Sequence, residues 1–403
     1  MTERVDIAIV GGGPAGAVLA ARLARAGVAV VVLERSPAWR WRAGGVFSSP
    51  AAMAALRRLG LDPTTAAAVA RPIAAMRVET PGGSMFRLTY GADRGGEPAV
   101  GFDRSALDPA LLRVAETAGA DVRRGWTVTG VDLNDPRAVI HARGPDGAET
   151  DLVADVVVGA DGLRSVVARS AGVTRATFLG ERVGLTYHLG DATDRPCPDA
   201  RMRILRDGYI GIAPVPGGRV NIGIVLGRSW RERLARQGAG GVAREIVGGI
   251  PPAPDDPAAW RDGTPLDHIA GASPLGHRVT RRAGERWLLI GDAAGFLDPF
   301  TGEGLHRALV SAELAGAAVL AARRGHSGAF AAYDRAMRRR FLSKDTVSWL
   351  VQAFLARPVL FEYAARRIEA RSGVRATMGL VMGDLLPASR ALDPRYLAAL
   401  LAP

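Results

Sequence analysis

The sequence predicts an α/β protein in three parts: a parallel-sheet domain wound with helices, an antiparallel-sheet domain, and a helical C-terminal segment. The first part is predicted by Val5–Val10, an apolar β-branched run, which is followed by a glycine-rich turn, a helical stretch closing at Gly27 and a second apolar run at 28–33. The second is predicted by two strand-rich segments, 76–90 and 182–226, with turn signals at Pro81-Gly82-Gly83 and Pro216-Gly217-Gly218. The third rests on helical spacing beyond Arg323, punctuated by Pro358, Pro387 and Pro394. The expected division is 1–72, 101–172 and 275–322 for the discontinuous first domain, 73–100 and 173–274 for the sheet domain, and 323–403 for the tail. Residues 251–265, rich in proline and aspartate, read as a loop.

Composition removes several classes. Charged residues make up 23% and the hydrophobic set 48% of 403 residues, the balance of a folded chain. One cysteine, Cys197, excludes an internal disulfide framework. The six histidines (141, 188, 268, 277, 306, 326) show no ligand-like pairing, so no metal site is expected. Net charge is +12, yet 51 of the 52 basic residues are arginines spread along the chain, and aromatics are 6%. A nucleic-acid face clusters its cations and interleaves aromatics, so none is expected. Residues 1–6 carry Glu3, Arg4 and Asp6 before the first strand, unlike a secretory leader, and no stretch reaches the roughly 18 apolar residues of a membrane span. A cytoplasmic location is expected.

The opening unit carries chemistry. Gly11-Gly12-Gly13-Pro14-Ala15-Gly16 satisfies G-x-G-x-x-G between a strand and a helix, and the second strand ends in Glu34. Gly11 permits the tight turn, Gly13 lets the backbone approach a pyrophosphate, and Gly16 allows helix and strand to pack closely. The pyrophosphate rests on the helix N-terminus. Glu34 accepts a ribose hydroxyl and repels a 2′-phosphate. A Rossmann-like unit binding an adenine dinucleotide is the expectation.

Two later motifs narrow the ligand. One strand runs into Gly159-Ala160-Asp161-Gly162, and another, Trp287–Ile290, into Gly291-Asp292. The second continues through Asp298-Pro299-Phe300-Thr301-Gly302-Glu303-Gly304-Leu305 into a helix ending near Ala322. With these three motifs, residues 5 to about 320 resemble the flavoprotein superfamily of class A aromatic hydroxylases, flavin-dependent halogenases and geranylgeranyl reductases, with a p-hydroxybenzoate hydroxylase-like fold. The resemblance implies a Rossmann-like FAD-binding domain. It places Ala15 and Glu34, flanked by Pro14 and Arg35, at the pyrophosphate and adenosine ribose, and the Val128 backbone at the adenine end. It makes Arg104 the arginine reaching the FAD, Asp292 the group at the ribityl–pyrophosphate region, and Gly304 and Leu305 backbone donors beside the flavin ring. Asp161 and Gly162 fall near the cofactor and incoming NADH or NADPH, the implied electron donor. Physically, a second helix N-terminus at Gly302–Leu305 stabilises negative charge on a reduced ring.

The family features point two ways on chemistry. Arg40-Trp41-Arg42-Ala43-Gly44 is similar to the hydroxylase stretch whose arginine steers the flavin, which carries that role to Arg42 and adds Ala43 and Gly44 to the cofactor set. Gly295 and Gly302-Glu303-Gly304 instead resemble the reductases. Tyr209–Pro214 followed by Asn221-Ile222-Gly223 keeps the reductase frame, but Gly211 and Ala213 stand where it has large aromatics, leaving a roomier pocket. Halogenases need an active-site lysine, and the sole lysine, Lys344, lies in the tail. The leading expectation is an NAD(P)H-dependent monooxygenase that hydroxylates or epoxidises a small organic or isoprenoid substrate. Its alternative is a reductase of carbon–carbon double bonds.

Tyr187, His188, Arg201, Arg203 and Tyr209 are the candidates for substrate contact. Arg42, His306 and Tyr209 are the catalytic candidates. In the tail, 341–363 is apolar at helical spacing and is expected to pack on the FAD domain; the rival reading is contact with a membrane or lipid substrate.

Overall fold

A computed structural model describes residues 3–94, 96–134, 136–177, 181–191, 197–251 and 263–402, so most of the proline- and aspartate-rich stretch at 251–265 lies outside the described residues. Strand β1 (Glu3–Val10), helix α1 (Pro14–Arg25) and strand β2 (Val30–Glu34) form the opening crossover. β1 pairs in parallel with β2 on one edge and with Glu149–Gly159 on the other. Asp121–Arg124 extends the sheet beyond β2. The Glu149–Gly159 strand has 11 residues and serves two neighbours on its far edge. Its first half pairs antiparallel with Ala138–Arg143, and its last residues pair in parallel with Trp287–Leu289. The carboxyl ends of four parallel strands therefore converge on Gly11, Glu34, Ala160 and Ile290, where open α/β sheets bind ligands.

A second, seven-stranded sheet runs in the order Ala270–Ala272, Val183–Gly190, Arg219–Leu226, Gly208–Val215, Ala200–Leu205, Met76–Glu79, Met85–Leu88. Strands from both expected sheet segments thus share one sheet, joined where Ala200 pairs with Met76. A third, small sheet was not anticipated: Ala99–Phe102 pairs with Phe47–Ser48 and with Ala70–Ile73. The expected boundaries at 72/73 and 100/101 both cut strands of this sheet. The chain passes between the domains as a paired ribbon, whose hydrogen bonds no linker composition reveals.

The two faces of the large sheet have different covers. Leu185, Tyr187, Ile210, Ile212, Ile222 and Ile224 pack under Val242, Ile246 and Val247 of the Arg231–Gly248 helix. Met202, Tyr209, Ala213 and Val225 face the other way, towards Trp41, Val46 and the C-terminal helices. The tail is helical over Ala329–Leu355, Pro358–Ala370, Ser372–Met382 and Pro394–Leu401. Only part of its apolar stretch meets the FAD-side core: Phe341 does, with Tyr333 and Met337, while Val347 and Phe361 pack in the sheet-side core. A helix of 27 residues is about 40 Å long, enough to touch both.

The Gly304–Arg323 helix is long and apolar enough to cross a bilayer, with mean hydropathy 1.3, contrary to the sequence expectation. Leu305, Leu309, Ala312, Ala315 and Val319 bury it in the core behind α1. Among the described residues no group of His, Cys, Asp and Glu is placed to hold a metal ion.

Candidate functional site

The turn after β1 is built by steric exclusion. Gly11 has φ +104°, and a Cβ there would lie 2.5 Å from the Ala160 oxygen; a Cβ on Gly16 would overlap the Gly11 oxygen. At Gly13 no atom lies within 4 Å of a built Cβ. Gly13 is also the N-cap of α1, Pro14 opens the helix, and no side chain caps it. The first-turn N–H groups therefore face an open approach, which suits an anion.

Glu34 is buried at the end of β2, where Oε2 accepts the Gly12 N–H at 2.8 Å and Oε1 the Ser36 N–H at 3.0 Å. Its carbonyl accepts the Trp126 N–H at 3.0 Å, which brings Val128 of the Thr127–Asp132 strand alongside. Arg35 is exposed. Arg42 sits 3.9 Å from Glu34, a loose pair at a half-exposed side chain. Arg104 forks onto Asp108 at 2.7 and 2.9 Å and donates to the Gly45 carbonyl at 2.9 Å. It holds the Ala43-Gly44-Gly45 segment in place with three of its five N–H donors, leaving two for a ligand.

Gly291, at φ +58°, packs on Ala15 with 3.1 Å between its built Cβ and the alanine methyl, so the Gly291-Asp292 turn stands beside the α1 N-terminus. Burial pushes the Asp292 carboxyl up to about 6, against the lowering influence of Arg104 and Arg307. Asp161 accepts the Val166 N–H at 2.6 Å through Oδ2, and burial raises its pKa too. Asp161 Oδ1 is buried with no partner.

Asp292 gives a stability prediction. A carboxylate raised from 3.8 to about 6 favours its protonated form in the folded chain. Its destabilising cost is therefore full above pH 6 and fades as pH falls from 6 to 4. In flavin-free protein, Asp292→Asn should be more stable than wild type by up to about 3 kcal/mol at pH 8, with the gap closing near pH 4. Urea denaturation across that range checks it. An equal gap at both ends would remove the assigned cause.

The late turn faces this group. Asp298 Oδ1 accepts the Phe300 N–H at 3.0 Å, and Gly302 at φ +66° lies against the Phe47 ring, 2.6 Å from a built Cβ. Gly304 has open space at its Cβ, and the Gly304–Arg323 helix has no side-chain cap. Two uncapped helix N-termini, open glycines and an orphaned Asp161 oxygen fit an elongated ligand with an anionic middle, as FAD is.

Strand alternation sorts the substrate candidates. Neighbouring residues point to opposite faces. Tyr187 lies under the Arg231–Gly248 helix, and burial raises its pKa to about 12. Arg201 and Arg203 pair with Ile212 and Ile210 and so share that outer face, where both meet Glu79, at 2.6 and 3.6 Å. These three do not face the cofactor side. His188 and Tyr209 do. His188 Nδ1 is 2.6 Å from Asp267 Oδ2, and its ring lies 4.4 Å from that of Trp41. Tyr209 donates to Asp298 Oδ1 at 2.5 Å and meets Phe300 edge-on at 5.1 Å. Between them the floor is small: Gly211 pairs with Gly223, and Ala213 with Asn221. His306 is turned away. Its Nδ1 lies 3.0 Å from Asp384 Oδ2, inside a buried ionic group that includes Lys344 and Glu303.

Sequence reasoning missed Trp41, Asp298 and Asp384. Asp298 was readable as a cap before Pro299, whereas Asp384 contacts residues almost eighty positions away.

Comparison with known proteins gives the family. The FAD binding domain family matches residues 4–343. Menaquinone reductase of Mycobacterium tuberculosis is 31% identical over 329 residues, covering 78% of this chain and 76% of that protein. Digeranylgeranylglycerophospholipid reductase of Methanosarcina mazei is 25% identical over 335 residues, covering 79% and 75%. The crystal structure of the flavin-dependent halogenase CmlS superposes with a TM-score of 0.73 at 22% identity, covering 99% of this chain and 72% of that one, which speaks for the fold alone. With its two helix N-termini and open glycines in place, the chain belongs to the FAD binding domain family and is an FAD-dependent oxidoreductase.

Proposed function

We propose that this enzyme reduces carbon–carbon double bonds of an isoprenoid lipid, with NADH or NADPH as electron donor. One observation carries the reading: the inner face of the large sheet joins a row of small residues to the buried phenol of Tyr209, with His188 and Asn221 as polar neighbours. Gly211, Gly223 and Ala213 are the small residues, Trp41, Met202 and Phe300 belong to the same apolar cluster, and Tyr209 is the proposed acid. A face of small and apolar residues suits a chain of isoprene units, and His188, Asn221 and Tyr209 are its polar members. The curated relatives named above are reductases, which supports this alternative over the monooxygenase that the Arg42 segment suggested.

When bound, FAD supplies the hydride. The protein's task is the matching proton and a dry site. Burial holds the Tyr209 phenol protonated, its pKa well above 10, and the hydrogen bond to Asp298 orients Oη. Asp298 is itself clamped by Arg182 at 2.7 Å, and Arg182 by Gln352 at 2.6 Å. Tyr209 Oη is the proton source for the carbon next to the one that takes hydride: its single hydrogen, which Asp298 Oδ1 accepts in the resting chain, passes to that carbon, and the phenolate left behind is reprotonated from water once product leaves. The nicotinamide donor is assigned in this reading to the turn at Asp161-Gly162, while Arg42, half exposed, lies 3.9 Å from Glu34 at the adenosine end. Gly11, Gly13, Ala15, Glu34 and Val128 take the adenine half of FAD, while Asp292, Gly302, Gly304 and Leu305 take the flavin half.

A lipid substrate also gives the exposed tail residues a use. Leu342, Trp349, Val359 and Leu360 are exposed on consecutive helices, with Arg338, Arg339, Arg357 and Arg366 exposed among them. This mixture suits a cytoplasmic enzyme resting on an anionic membrane face. The deciding experiment is anaerobic. Protein reduced by NADPH is mixed with a polyprenyl substrate in detergent without oxygen. A product heavier by two hydrogens is expected; product that appears only with oxygen and gains an oxygen atom would make the enzyme a monooxygenase.

A further inference from the structure

The sole lysine of the chain is buried directly behind the flavin-side turn. Lys344 Nζ donates to the Val381 carbonyl at 2.6 Å and forms ion pairs with Glu303 Oε1 at 3.0 Å and Asp384 Oδ1 at 2.9 Å. Its side chain is 6% exposed, and those of Glu303 and Asp384 are 10% and 7%. Asp384 Oδ2 also accepts from Ser49 Oγ at 3.0 Å and contacts His306 Nδ1 at 3.0 Å. Arg307, paired with Asp345 at 2.5 Å, is the remaining charged neighbour. Glu303 stands between Gly302 and Gly304, on the turn whose backbone N–H groups face the ligand.

We propose that Lys344 is a positioning residue of the flavin site: it pins Glu303 from behind and sets the net charge that the bound flavin meets on reduction. Every other cation in the chain is an arginine, so the lysine reflects a local demand. A compact ammonium can sit among two carboxylates and a carbonyl gathered around one point, and a planar guanidinium cannot. Stability alone is a poor reason for the cluster, because a buried ion pair roughly breaks even with apolar packing. The cluster instead joins the C-terminal helices, through Asp384 and Lys344, to the flavin-side loop. Asp384 has φ +58°, a conformation that asparagine and aspartate tolerate, so Asp384→Asn keeps shape while removing a negative charge.

This inference rests on flavin binding and is indifferent to which substrate follows. Its test is the midpoint potential of bound FAD, measured by dye equilibration at pH 8 without substrate. Lys344→Met removes a positive charge and should weaken reduced FAD against oxidised FAD by about tenfold, a drop of about 30 mV for a two-electron couple. Asp384→Asn should move the ratio by a similar factor the opposite way, and the double variant should return near wild type. A purely structural role would lower affinity for both redox forms together in each variant. Potentials unchanged in both single variants, or displaced in the same direction, overturn the proposal. If Lys344→Met does not fold, Asp384→Asn decides: a raised potential supports the proposal and an unchanged one refutes it.

Discussion

Gly13→Ala should lower FAD affinity at least about 100-fold, roughly 2.7 kcal/mol, while leaving the flavin-free protein as stable as wild type. The backbone there has φ −69° and ψ −179°, which any residue adopts, and a built Cβ has no atom within 4 Å. Alanine restricts the unfolded chain by about 0.4–1 kcal/mol but caps a helix less well than glycine by a similar amount, so the two effects roughly cancel. The methyl group would occupy the space through which the pyrophosphate reaches the α1 N-terminus. Gly16→Ala is the contrasting case. Its Cβ would overlap the Gly11 oxygen, so this variant should lose the fold as well as the ligand. Flavin fluorescence titration and urea denaturation separate the two outcomes. Wild-type affinity in Gly13→Ala would mean that no phosphate lies on this turn.

Tyr209→Phe should reduce turnover by about 10²–10³, the usual worth of a positioned general acid, with FAD affinity within about twofold of wild type. The loss should fall on one half-reaction. Reduction of the flavin by NADPH should proceed normally, and anaerobic reoxidation by the lipid substrate should slow. Because burial and Asp298 keep the phenol protonated to well above pH 10, wild-type turnover should show no alkaline limb from this residue below pH 9. Full activity in the phenylalanine variant would transfer the proton to another group, and His188, also on the inner face, would be next to test.

Much of the site was legible because its parts are local. A strand, a glycine turn and a helix N-terminus need only a dozen consecutive residues, and the steric demands on Gly11 and Gly16 come from backbone at or beside the turn. The same holds for Gly291-Asp292 and for the Gly302–Leu305 turn. The substrate side was legible as strands and illegible as faces. Alternation says that Tyr187 and His188 point oppositely, but which of them meets the cofactor depends on what covers each face. The Arg231–Gly248 helix took the Tyr187 side, and no pattern within the strand encodes that choice.

The amino-acid sequence by itself determined the dinucleotide crossover and the flavin motifs, since these depend on residue type and short-range spacing, and it put Tyr209 among several candidates without a role. Tertiary structure alone decided that Arg201 and Arg203 lie outside the site, that His306 belongs to Asp384, and that the lone lysine stands behind Glu303. The physical reason is distance along the chain: an ion pair between residues dozens of positions apart is fixed by how helices and sheets pack, and no local signal carries that arrangement.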